Sequence, residues 1–77
     1  MIKHTFIISG ILVEARELPF GQLAVWHPIS ALAQSVVEPL CRGRGYWNRR
    51  YKNWIIHKPF VPMVLFELRC SADKHHG

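Results

Sequence analysis

The sequence predicts an α+β domain: a small antiparallel sheet in ββαββα order, with two helices packed on one face. Three observations carry that reading. Residues 5 to 15 and 23 to 26 are rich in β-branched, aromatic and other apolar types, the composition of strands. Ile29, Leu32, Ala33, Val36, Val37 and Leu40 fall at i, i+3, i+4, i+7, i+8 and i+11, an apolar stripe at helical period. Pro59 and Pro62 open another apolar stretch, Phe60 to Cys70, and proline suits the first turn of a helix but not its interior. A chain of 77 residues is one domain. A domain of this size buries only about 60% of its unfolded surface, so its core is small.

Thr5 to Ala15 reads as one extended segment with a bend or bulge at Gly10. Leu18-Pro19-Phe20-Gly21 is turn chemistry, because Pro19 presets φ and Gly21 accepts a positive φ. Leu23 to Trp26 follows as the second strand of a hairpin. Pro28 fits the start of a helix whose polar face is Ser30, Gln34, Ser35 and Glu38. Pro39 pushes Glu38 out of helical conformation, so the helix should end there, with Gly43 or Gly45 turning the chain.

Tyr46-Trp47 and Trp54 to His57 then form a second hairpin. No Asn-Gly or Asp-Gly pair lies between them, so the loop should hold three to five residues. Trp54 and Ile56 share one face of the return strand; Tyr51, Asn53, Ile55 and His57 share the other. Phe60 to Cys70 is apolar on nearly all sides, so that helix is either deeply packed or covered by a partner. Ser71 to Gly77 reads as a frayed polar tail.

The chain is 49% hydrophobic and 19% charged, which excludes intrinsic disorder. No apolar run approaches the roughly 20 residues of a membrane-spanning helix. The first residues bear a faint likeness to a signal peptide, but Ser9 and Gly10 interrupt the apolar stretch. Cys41 and Cys70 make no disulfide framework and fit reduced thiols in a cytoplasmic protein. With no CxxC and no close Cys-His spacing, no metal or other cofactor is expected. The acids are scattered and form no close pair for hydrolytic chemistry.

Charge is the functional clue. The net charge is +5 and the isoelectric point about 9.8, which points to an anionic partner. The excess is local, because residues 42 to 58 hold Arg42, Arg44, Arg49, Arg50, Lys52 and Lys58 without one Asp or Glu. Tyr46, Trp47, Tyr51 and Trp54 are interleaved with them. Cations neutralise phosphates and rings stack on bases. Trp47 and Trp54 also flank the hairpin loop and suit a cross-strand pair holding the sheet to the helices, which leaves Tyr51 as the better stacking ring. The nucleic-acid-binding set is therefore Arg42, Arg44, Arg49, Arg50, Tyr51, Lys52 and Lys58. Arg42-Gly43-Arg44-Gly45 adds a turn able to present amides to an anion.

The second half, over about residues 25 to 68, resembles the HARP (HepA-related protein) domain that accompanies annealing helicases. The likeness rests on a helix leading to Gly43, the aromatic pair Tyr46-Trp47, a polar turn, Lys52-x-Trp54 and a following helix. Here Pro39 and Gly43 do not adjoin, and the turn carries Asn48-Arg49-Arg50. The resemblance implies DNA binding, with Lys52 and the turn arginines on the backbone and Trp54 as a core anchor.

The leading expectation is a non-enzymatic nucleic-acid-binding module, with DNA favoured over RNA. The alternatives are a protein-interaction subunit, a homodimer or one docked through the last helix, and a small toxin-type ribonuclease using His57.

Overall fold

The computed structural model describes residues 2–73. It is an α+β arrangement of one five-stranded antiparallel sheet and two helices. In chain order these are β1 (Lys3–Ile8), β2 (Ile11–Glu17), β3 (Leu23–Trp26), α1 (Ala31–Cys41), β4 (Gly45–Asn48), β5 (Asn53–Ile56) and α2 (Val61–Ser71), the last preceded by a 3-10 turn, Lys58–Phe60. Across the sheet the order is β1-β2-β3-β5-β4. After β3 the chain runs through α1 to the far edge, where β4 lies, and β5 returns between them.

The expected order gains a strand. Residues 5 to 15 are not one bent strand but parts of two, turning at Ser9 and Gly10. Both turn residues have positive φ, 52° and 76°, as a tight two-residue hairpin of the right twist demands. Gly10 adopts that region freely, and Ser9 tolerates it because the turn is held from outside: its own amide and that of Gly10 each donate 2.9 Å bonds to the Asp73 carboxylate.

α1 begins three residues after Pro28, at Ala31, because Ser30 caps it: the Ser30 Oγ accepts from the Ala33 amide at 3.1 Å. The helix also runs past its expected end at Glu38, through Pro39 to Cys41. Pro39 falls in the last turn, where it deprives only the exposed Ser35 carbonyl of its donor, and water can satisfy that group. Cys41, fully covered by the core, and the half-buried Leu40 offset the loss. Gly43 turns the chain, and Gly45 already belongs to β4.

One face of the sheet is the core. Phe6 and Val13 form one row across it, Ala15, Val25 and Trp54 the next, and Leu23 and Ile56 the one after. Val37 and Cys41 of α1 and Val64 and Leu68 of α2 close over these residues. Each large side chain buried in this way contributes about 1.5–3 kcal/mol. Burial raises the Cys41 thiol from 9.0 to about 12 against the opposing charge of Arg44, so it stays protonated and inert. Cys70 is exposed, and neither cysteine is in a disulfide. α2 buries one stripe only: Met63 and Phe66 remain 50% and 62% exposed.

No helix is long and apolar enough to cross a membrane among the described residues. Of the expected frayed tail, Ser71 ends α2 and the Asp73 amide bonds the Ile7 carbonyl at 2.6 Å. Residues 74–77 lie outside the described residues.

Candidate nucleic-acid interface

The site is built on the β4–β5 hairpin, whose loop is four residues, Arg49-Arg50-Tyr51-Lys52. Trp47 and Trp54 face each other across the two strands in an edge-to-face pair, centroids 5.6 Å apart. The His27 ring, 1% exposed, packs 5.6 Å from Trp47 and donates from Nδ1 to the Pro28 carbonyl. Both tryptophans therefore look toward the helices and hold the hairpin down, and Trp54 packs on the core.

Asn48 organises the loop itself. Its Oδ1 accepts from the Arg50 amide at 3.0 Å and the Tyr51 amide at 3.3 Å, a side-chain turn that fixes the chain's reversal. Arg50 then lies over the Tyr51 ring, 5.4 Å from its centroid. Lys52 completes the loop at φ 52°. All four loop residues are exposed, and among the described residues Arg49, Arg50 and Lys52 form no ion pair.

The other candidates divide. Arg42 pairs with Glu38 one helical turn back, with 76% of its side chain exposed. Arg44 is more deeply engaged: it pairs with Glu67 of α2 and donates to the Leu40 carbonyl at 3.2 Å, tying the two helices to the start of β4. The turn amides are also used, Arg42 bonding Glu38 and Arg44 bonding Cys41. Lys58 stands beyond the other end of β5 with its aliphatic stem across Gly21. His57 is exposed, its ring 6.0 Å from that of Tyr46. The structure thus brings Arg49, Arg50, Tyr51 and Lys52 together and leaves Arg42, Arg44 and Lys58 apart from them. No three His, Cys, Asp or Glu side chains gather around a metal-sized space among the described residues, and His75 and His76 lie outside them.

Sequence reasoning undervalues two rings. Neighbouring residues of a strand face opposite ways, so with Trp47 on the helix side Tyr46 must face the bare side of the sheet. Trp26 faces that side too, opposite Asn53 and Glu14. Alternation places Tyr46, but β3 is apolar at all four positions, so its pattern assigns Trp26 to neither face.

The bare side carries a groove of about 540 Å³, open to solvent. Ala24 and Ile55 lie in it, Trp26, Tyr46 and Tyr51 line it, and the Leu18–Gln22 turn bounds it. Compared with protein-family models, curated proteins and solved structures, the chain matches none of them.

Proposed function

We propose that this chain is a non-enzymatic, cytoplasmic nucleic-acid-binding module whose β4–β5 loop lies along a phosphate backbone. One observation carries the reading: Arg49, Arg50 and Lys52 share a four-residue loop, held in shape by Asn48, with no acid neutralising them among the described residues. Preorganised cations neutralise phosphates without first losing their own partners. The HARP resemblance points the same way and makes DNA the first ligand to try. Arg42 and Lys58 are flanking contacts at most, and Arg44 serves the fold.

The test is a binding panel against oligonucleotides at several salt concentrations. Affinity should fall steeply with salt. Arg49→Ala combined with Arg50→Ala and Lys52→Ala should weaken binding and flatten the salt slope by about 0.7–0.9 for each phosphate that is no longer neutralised. Unchanged binding in a folded triple variant sinks the assignment.

A second reading rests on the helices. Ile29, Leu32, Met63 and Phe66 are each at least half exposed on α1, its approach and α2, an apolar display suited to a protein partner. A dimer in sedimentation, with no oligonucleotide binding, would favour that reading.

A further inference from the structure

We infer that the bare face of the sheet is a stacking platform for the bases of a single-stranded nucleic acid. This rests on the proposed function and goes further, because it names the strandedness of the ligand and a second set of contacts. Trp26, Tyr46 and Tyr51 are 39%, 50% and 64% exposed and all line the same groove. They line the groove around Ala24 and Ile55, which are 9% and 6% exposed. Rings around an apolar floor offer bases a dry surface, and a ring accepts any base because every base has a π-face. The groove crosses four neighbouring strands, from Glu14 and Arg16 of β2 to Tyr46 and Asn48 of β4, a span of about 14 Å. That is room for about two or three stacked bases, as on other sheet surfaces that bind single strands.

Charge and hydrogen-bonding groups fit the same occupant. Tyr51 lines the groove and lies under Arg50, so the cationic loop is the groove's own wall and backbone phosphates would pass along it while bases turn inward. Arg16 in the groove has no ion pair among the described residues, and Glu14, the one acid lining it, is already bound by Lys3 at 3.4 Å. Asn53 also lines the groove, opposite Asn48 and Trp26. Its Oδ1 is covered and has no hydrogen-bond partner among the described residues. A duplex cannot use these features, because its bases are stacked on one another and expose no faces.

The experiment measures affinity for short DNA and RNA single strands, the matching duplex, an abasic strand with the same backbone, and polyglutamate as an acidic peptide. Single strands should bind at least about five-fold more tightly than duplex or abasic strand, the difference expected for one stacked base. Tyr46→Ala and Tyr51→Ala should each weaken single-strand binding by about five-fold or more while leaving the salt slope unchanged, since a ring releases no counterions. Tyr46→Leu, which keeps an apolar cover over Ile55, guards against a folding defect and should weaken binding similarly. If duplex or abasic strand binds as well as single strand, or polyglutamate binds as tightly, the platform is wrong. In that case salt-dependent binding that disappears in the loop triple variant would leave the proposed function standing. If no oligonucleotide binds, both fall together.

Discussion

Lys52 holds a backbone conformation that lysine disfavours. At φ 52° it sits in the left-handed region, where an ordinary L-residue costs about 1–2 kcal/mol and glycine or asparagine is the usual occupant. Its side chain is exposed and forms no ion pair among the described residues, so no ion pair of its own offsets that cost. A strained residue kept at a loop tip is expected where its side chain serves a ligand. Lys52→Gly should therefore hold stability or raise it by up to about 1 kcal/mol, read as a higher midpoint in thermal melts. The same substitution should weaken oligonucleotide binding and lower the salt slope by about 0.7–0.9. A stabilised protein with unchanged affinity would remove Lys52 from the interface. At this scale the sequence shows which residues are cationic but not which are already engaged. The Arg42–Glu38 pair is visible as an i, i+4 spacing on the helix. The Arg44–Glu67 pair is not, because it forms only when α2 packs beside the start of β4.

Among the elements, the β4–β5 hairpin is the most legible in the sequence. Its two tryptophans flank a polar stretch, and the pairing of Trp47 with Trp54 follows from the loop length. The β1–β2 hairpin is hidden because the residues beside its turn, Phe6-Ile7-Ile8 and Ile11-Leu12-Val13, are apolar on both faces, and Ser-Gly is a weaker turn mark than Asn-Gly. The end of α1 is misjudged from sequence for a different reason: proline's local preference yields to the burial of Cys41. Gly45 shows how tightly the hairpin is set. A Cβ placed there would stand 2.0 Å from the Ile55 carbonyl oxygen on the neighbouring strand, and backbone cannot move aside as a side chain can. Gly45→Ala should cost about 3 kcal/mol, the upper end for overpacking, and should appear as a lowered denaturant midpoint. Gly43→Ala is the control, since nothing lies within 4 Å of a Cβ there and only the backbone strain of its φ of 81° remains. Equal destabilisation at the two positions would show that the close approach of β4 to β5 does not set the cost.

Taken whole, the molecule separates its tasks by side and by edge. The helices cover one face of the sheet, and the groove lies on the other. The proposed interface loop sits at the β4–β5 edge, while at the opposite edge the chain's last described residue closes the fold. There the Asp73 carboxylate accepts from the Ser9 and Gly10 amides, and the Asp73 amide returns a bond to Ile7. These bonds fasten the end of α2 to the first hairpin, across 64 positions of sequence. No local pattern announces them, because an aspartate in a polar tail looks the same in sequence whatever it bonds. Asp73→Ala removes two bonds to a charged acceptor at an exposed site, worth about 1–2 kcal/mol together. In a domain of this size that lowers the melting midpoint by about 4–16 °C. β3 stands between the clamped β1–β2 hairpin and the β4–β5 hairpin, so the variant, measured well below its melting point, should bind oligonucleotides as the parent does. Weaker binding at full folding would mean that the two edges are coupled through the sheet, and that the groove's shape depends on how the first hairpin is held.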